Sequence, residues 1–397
     1  MTDFRPVPAA DRSAYRRILQ YAFSPERGPA EPTPAEDWPP TLYDQRGLYV
    51  DETLTSGCKL YYLDAWVRDG YDEIGGLGAV GTAPEFRGQG HARRLCREAL
   101  REYRDNDVDI VTLWPFSTSF YERFGWATAN YYRRYTLAPD VLPAHDNSGR
   151  YVQLETADWK RLRRVETAYG KETSLSLRRS EQWWRERTLA DWDGNGTPYC
   201  FGYERDGTLE GYVVYTVTKE DGDRVLSVQD LAHTDEEAYR AMLAFLGGHG
   251  AQVPEIALER AEYDTLLARV TDPESVSCSV RPGPMARLTS VEPLTSLDWP
   301  VDELTATIRV NDPLLENNDG QFELTVTDGV ARLENLTNPV DQPAMVVDIG
   351  TLTQLYLGTI DCDEAMRFGG LDVFEEPPES VCESVFEPQH VCLREFF

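Results

Sequence analysis

Residues Val80 to Leu95 read V-G-T-A-P-E-F-R-G-Q-G-H-A-R-R-L, and the fold turns on this stretch. A run of small residues, Gly78-Ala79-Val80-Gly81-Thr82, closes a strand, and Pro84 stops it because proline has no N–H for the ladder. Beyond Arg87-Gly88-Gln89-Gly90-His91, apolar or small side chains recur at Ala92, Leu95, Cys96, Ala99, Leu100 and Tyr103. That spacing predicts one buried face of a helix. The glycines therefore sit where a strand turns into a helix N-terminus. The first N–H groups of a helix lack internal partners and carry the positive end of its dipole. Gly88 and Gly90 have no Cβ, so an anion can approach the backbone, and Arg87 adds charge. The turn suits a diphosphate. It is not the dinucleotide fingerprint, because Arg93 stands where the third glycine of G-x-G-x-x-G belongs.

Arg87-x-x-Gly90-x-Ala92 resembles the pyrophosphate loop of the GNAT acetyltransferases; an ordinary surface turn is the plainer reading. The neighbouring elements fit a mixed sheet. Residues 11–22 read as a helix with Asp11 as N-cap, and 47–50 and 59–68 read as strands. Val108 to Trp114 is a short apolar run typical of a buried strand. Ser117 or Thr118 can then open a short helix that Gly125 ends, and Tyr131 to Leu137 is a further strand. The order α–β–β–α–β–α–β predicts a mixed sheet with helices on both faces and a ligand at the strand C-terminal ends. Arg87–Ala92 and Phe116–Tyr121 both follow strands at that edge. The proline- and acid-rich stretch 24–40 is a loop, either a lid or an excursion.

The run Phe120 to Trp126, F-Y-E-R-F-G-W, is similar to the Eis (enhanced intracellular survival) branch of that superfamily, whose members acetylate amines on aminoglycosides and other cationic molecules. The resemblance places Tyr121 as the general acid that protonates the leaving thiolate; a packed aromatic is the ordinary role of a lone tyrosine. It extends along the whole chain. Residues 138–150 form a linker. The block to about 285 has helices near 156–168 and 179–189, strands at Cys200–Tyr203, Gly211–Thr218 and Val225–Leu231, and an Asp206-Gly207 turn. Thr234-x-x-Glu237 reads as a capping box opening a helix over 235–246. This junction is acidic and lacks the arginine–glycine loop, so the block reads as a degenerate GNAT-like domain that holds no cofactor. Alternation at Leu304, Ala306, Ile308, Val310 and at Phe322, Leu324, Val326, with a turn at Asp328-Gly329 and a short helix over 351–357 ended by Gly358, resembles the sterol-carrier-protein-like third domain of Eis proteins. The fold class expected is thus α/β (α+β): tandem GNAT folds over 1–140 and 150–285, then a carrier-like α+β domain over 286–397.

The resemblance implies acetyl transfer from acetyl-CoA to a primary amine. Val80, Gly81 and Thr82 would bind the pantetheine arm through backbone hydrogen bonds. Arg87, Gly88, Gln89, Gly90, His91, Ala92 and Arg93 would hold the pyrophosphate, and Phe116 and Ser117 would line the cleft. The N–H near Val80 would polarise the thioester carbonyl. The carboxylate of Phe397 would be the general base, where a fraying end is the ordinary expectation. An α-carboxyl titrates near ~3.3–3.7, so this role needs desolvation or a bridging water. One departure is that Gly88 and Gln89 interrupt what is an arginine-rich loop in Eis relatives. A non-catalytic acyl-CoA sensor or scaffold is the alternative, and lipid carriage by the last domain a third reading. The amine acceptor stays open among aminoglycoside, polyamine, protein N-terminus and lysine side chain. A hexamer is implied by resemblance alone.

Composition sets the outer bounds. A length of 397 residues suggests two or three domains. The formal charge of −29, with lysine only at positions 59, 160, 171 and 219, repels nucleic acid. The acid is spread along the whole chain, which favours a surface adapted to high salt, as in a halophile, over a patch for a cationic substrate. No apolar run reaches the ~18–20 residues of a membrane span, and no signal pattern opens the chain, so a cytoplasmic protein is expected. Seven scattered cysteines argue against a disulfide framework and, with five unpaired histidines, against a metal site.

Overall fold

The structure is a computed structural model that describes residues 2–29, 41–145, 148–192, 194–220, 222–261, 263–374 and 378–397. Most of the loop read as a lid or an excursion, from residue 30 to 40, lies outside them. In chain order come β1 (Thr2–Pro6), α1 (Arg12–Phe23), β2 (Asp44–Val50), β3 (Thr53–Val67), β4 (Gly70–Thr82), α2 (His91–Asp105), β5 (Ile110–Leu113), α3 (Thr118–Glu122) and β6 (Ala127–Thr128). Next are β7 (Tyr131–Leu137), β8 (Arg150–Gln153), α4 (Trp159–Gly170), α5 (Glu181–Trp183), β9 (Tyr199–Arg205), β10 (Thr208–Glu220), β11 (Asp223–His233), α6 (Glu236–Gly247), β12 (Glu255–Ala261) and β13 (Ser277–Pro282). The chain finishes with β14 (Met285–Leu288), β15 (Glu303–Asn311), β16 (Gly320–Thr327), β17 (Val330–Asn335), β18 (Met345–Asp348), α7 (Ile349–Leu357), α8 (Cys362–Phe368), β19 (Leu371–Val373) and α9 (Pro378–Val385).

Two compact units emerge. One comprises Met1–Leu63, Asp72–Ala129 and Pro284–Phe397, the other Asp64–Tyr71 and Asn130–Gly283. The first unit holds a seven-stranded mixed sheet in the order β1-β2-β3-β4-β5-β14-β6 and a five-stranded sheet in the order β17-β16-β15-β18-β19. The second holds a seven-stranded sheet in the order β13-β7-β12-β11-β10-β9-β8. Sequence order groups β7 with the first block. It pairs instead between β13 and β12, and β14 takes the place between β5 and β6.

Helix α2 lays Leu95, Cys96, Ala99, Leu100 and Tyr103 into the first core, together with Leu77, Val111 and Leu113. His91 rather than Ala92 is the buried residue of its first turn, continuing the row 95, 99, 103 by steps of four. Asp11 precedes α1 but makes no capping bond; its carboxylate accepts from the Tyr49 hydroxyl at 3.0 Å. The second helix start also differs from expectation. Asp235 is the N-cap of α6, accepting from the Ala238 N–H at 2.8 Å, while Thr234 donates to Glu210. In the last sheet the expected alternation along β15 and β16 turns Leu304, Ala306, Ile308 and Val310 inward. Gly358 ends α7 at φ 75°, in the left-handed region that favours glycine. Against the expectation of no disulfides, Cys362 and Cys382 are bonded, tying α8 to α9. The apolar cavity between this sheet and α7 and α9 measures about 30 Å³, well below the ~300 Å³ at which ligand pockets begin. Among the described residues no helix is long and apolar enough to cross a membrane.

Candidate active site

β4 and β5 run parallel but pair only at Gly75↔Val111 and Gly76↔Thr112. Two side chains hold this last point of contact. The Tyr103 hydroxyl donates to the carbonyls of Tyr61 and Gly76 at 3.1 and 2.9 Å, and Thr112 Oγ1 donates to Gly75 at 3.0 Å. Gly75 must be glycine, because a Cβ there would meet the Tyr103 ring at 2.7 Å. Past Gly76, β4 runs on to Thr82 while β5 ends at Leu113. Within that stretch Ala79 takes φ 50°, a left-handed residue inside a strand, the backbone signature of a bulge. A bulge breaks the ladder and frees main-chain groups for another partner.

The freed edge of β4 opens on a cleft of about 820 Å³. Val80, Gly81, Thr82, Arg87, Gly88, Gly90, His91, Ala92, Arg93 and Phe116 all line it, so the structure brings together all but two of the cofactor residues read from sequence. The exceptions are Gln89, whose amide turns back to the Glu85 carbonyl at 3.3 Å, and Ser117, whose hydroxyl meets that of Ser119 at 3.2 Å. α2 starts at Gly90 with no capping side chain and no acid in its first turn, so its first N–H groups remain available to an anion. Gly88 and Gly90 adopt φ 74° and 79°, a second reason for glycine beside close approach. Burial, and then the Arg94 charge, hold the His91 imidazole below its ordinary value.

The far wall comes from the α3 segment. Phe116 and Phe120 pack on each other at 4.9 Å, and both stand edge-on to Tyr121, which is 4 % exposed. Burial drives the Tyr121 phenol well above its ordinary value, so it stays protonated throughout the working pH range. Sequence reasoning missed several wall residues: Ala22 and Phe23 at the end of α1, Phe86, Phe120, Arg123 and Phe124. The aromatic run from Phe116 to Phe124 was the available signal. It also missed the clamp behind Tyr121. Arg287 of β14, fully buried, donates to the Phe124 carbonyl and to Asp312, and lies 5.4 Å from the Trp126 ring centre. Trp126 in turn meets Tyr121 edge-on at 5.9 Å.

The chain end is ordered within the same unit. Phe397 is 9 % exposed, and its ring packs on Tyr61 at 5.1 Å. A Cβ on Gly76 would meet that ring at 2.8 Å, and one on Gly78 would lie 3.5 Å from the carbonyl carbon and oxygen of Phe397. The approach is braced by Trp114, whose indole N–H donates to the Glu395 carbonyl at 2.8 Å and whose ring packs on Phe396 at 5.4 Å. Phe397 thus lies beside β4, one residue from the bulge.

The second unit repeats the plan and then fills it. β11 and β12 are parallel, joined through α6, and pair from Val225↔Glu255 to Val228↔Leu258 before parting. Arg260 of β12 reaches into this space, donating to the carbonyl of Leu231 at 2.9 Å and to the Tyr169 hydroxyl at 2.8 Å. Asp235 caps the α6 N-terminus by accepting from the Ala238 N–H, and Glu236 and Glu237 stand in its first turn, so this helix start disfavours an anion. His233, stacked on Tyr239 at 4.5 Å, is pushed down to about 4 by burial and then by the Arg260 charge. The unfolded chain takes up this proton near ~6.5 and the folded one near 4, so stability is lost as pH falls through that window. A loss of about 3 kcal/mol is expected between pH 6.5 and 4. Acid melting curves of the wild type and His233→Gln check it, the variant showing a shallower fall.

Residues 3–129 and 175–288 each match an acetyltransferase (GNAT) domain family, and 292–393 match a sterol carrier protein domain family. No curated protein matches the chain significantly. Among solved structures, a GCN5-related N-acetyltransferase from Anabaena variabilis is 19% identical with a TM-score of 0.82, covering 100% of both chains. Eis1 from Mycobacterium abscessus is 22% identical with a TM-score of 0.74, again over 100% of both. A GCN5-related N-acetyltransferase from Kribbella flavida is 18% identical with a TM-score of 0.76, over 100% of this chain and 98% of that one. At these identities the likeness is one of fold.

Proposed function

We propose that this chain, with two GNAT acetyltransferase domains ahead of a sterol carrier protein domain, is an acyl-CoA-dependent acetyltransferase that moves the acetyl group of acetyl-CoA to a primary amine of a cationic small molecule or peptide. One observation carries the reading: β4 parts from β5 beside an uncapped helix N-terminus, and no Asp or Glu appears among the described residues lining the cleft. The free edge fits an amide-bearing arm, and the glycine turn fits a diphosphate. In this reading Val80 to Thr82 bind the arm and Gly88 to Arg93 the diphosphate. The N–H near Val80 polarises the thioester carbonyl. The Phe397 carboxylate, directly or through a water, takes the proton from the amine as its nitrogen bonds to the acetyl carbon. The C–S bond breaks, and the Tyr121 hydroxyl gives its proton to the departing thiolate. Burial keeps the Tyr121 phenol protonated and so able to donate, and desolvation raises a leaving thiol in the same direction.

Residues 1–140 carry the chemistry in this scheme, 150–285 form its cofactor-free relative, and 286–397 bring the chain end into place. The acidic, lysine-poor surface supports a halophilic setting. The Eis likeness supports a hexamer. The proposed site is cytoplasmic, though the Cys362–Cys382 bond pulls against a reducing compartment. The test is free-thiol release from acetyl-CoA in high salt across a panel of amines. Amine-dependent release is expected. Tight acetyl-CoA binding with no release for any amine would replace the enzyme with an acyl-CoA sensor.

A further inference from the structure

We propose that Arg123 reads the 3′-phosphate of coenzyme A, so that the cleft distinguishes coenzyme A from its 3′-dephospho form; this rests on the acetyl-CoA reading above. In a chain of net charge −29, the described cleft wall carries three arginines and no carboxylate. Arg87 and Arg93 flank the α2 N-terminus, where backbone amides already suit a diphosphate. Each also has a local tie, Arg87 to the Thr82 carbonyl at 3.3 Å and Arg93 to that of Pro313. Arg123 stands apart, at the C-cap of α3 on the aromatic wall. Its Nε donates to the Phe120 carbonyl at 3.2 Å, and its guanidinium lies 4.6 and 5.3 Å from the Phe120 and Phe124 ring centres. These contacts orient the guanidinium plane but use only one of its five N–H groups. No carboxylate among the described residues is within ion-pair distance of it.

Coenzyme A carries a diphosphate and, separately on its ribose, a phosphomonoester. The monoester is nearly dianionic at neutral pH, since its second pKa is ~6, and it presents three acceptor oxygens. A diphosphate held at the glycine turn leaves that group in need of a cation elsewhere on the cleft. A pre-oriented guanidinium fork is the side chain best matched to a phosphate. Arg123 is the one arginine among the described lining residues that lies away from the turn.

The experiment is calorimetric titration of the full chain, wild type, Arg123→Gln and Arg123→Lys, with coenzyme A and with 3′-dephospho-coenzyme A at matched, moderate salt. The wild type is expected to prefer coenzyme A by about tenfold, the worth of one charged hydrogen-bonded contact on an exposed wall. Arg123→Gln should lose that tenfold on coenzyme A, keep its affinity for the dephospho form within about twofold, and so lose the preference. Arg123→Lys should keep part of it, and rising salt should erode it. Equal wild-type affinity for the two ligands overturns the proposal. Equal weakening of both ligands in Arg123→Gln also overturns it, by assigning Arg123 to the diphosphate or to the wall. Failure of the wild type to bind either ligand would remove the acetyl-CoA reading itself, and this inference with it.

Discussion

Replacing Tyr121 by phenylalanine is expected to lower kcat about 10³-fold while leaving the dissociation constant for acetyl-CoA within about twofold. The substitution removes one oxygen and keeps the ring. The contacts with Phe116, Phe120 and Trp126 are ring contacts, so the wall should keep its shape. The hydroxyl makes no hydrogen bond to the described residues, so its loss strands no partner. Catalysis and packing therefore separate cleanly at this position. Steady-state kinetics and a melting curve on the same preparation make the comparison. A fall in kcat at unchanged Tm assigns Tyr121 as the acid; an unchanged kcat returns it to the role of a packed aromatic. Burial keeps the phenol protonated, so the alkaline limb of the rate profile should not report its ionisation.

Converting the Phe397 carboxylate to a carboxamide by semisynthesis is expected to lower kcat by a similar factor, about 10³. The amide keeps the ring against Tyr61 and Gly76 and adds almost no bulk, so it removes charge and basicity alone. Deleting Phe397 is a poorer test. It also empties the space the ring fills beside Gly76, and a buried aromatic cut away costs about 3–5 kcal/mol. Phe397→Leu is the complementary variant, keeping the carboxylate and shrinking the ring, and should retain most of the activity. Full activity in the amide would move the base elsewhere. Activity lost in Phe397→Leu but kept in the amide would make the residue a packing element.

What the sequence disclosed was local. The α2 face, the end of β4 at Pro84, the Asp206-Gly207 turn at φ 52° and 78°, and Gly358 after α7 each follow from residues a few positions apart. The cleft residues were legible for the same reason, since the glycine turn is contiguous. The misreadings have local causes too. His91 and Ala92 are neighbours on a helix that turns 100° per residue, so an apolar pattern misassigns its first turn easily. Thr234 and Asp235 are both able caps, and only the backbone path selects Asp235. Pairing between distant segments left no such trace. A short strand such as β7 or β14 carries its alternation but no mark of which sheet it joins. Cys362 and Cys382 lie 20 residues apart with no motif spacing. The Arg287–Asp312 clamp behind Tyr121 is likewise invisible until β14 is in place.

The position of β14 orders events during synthesis. Between β5 and β6 it is an interior strand of the sheet that carries the cleft, yet it is encoded more than 150 residues after them, at Met285–Leu288. A ribosome that has released residues 1–140 has produced β4, the glycine turn and Tyr121, but not the strand that joins β5 to β6. The nascent segment must wait with an unpaired, apolar β5 edge while the whole second unit emerges. At ~5–20 residues per second that wait lasts on the order of ten seconds or more, a window in which the exposed edge is open to mispairing.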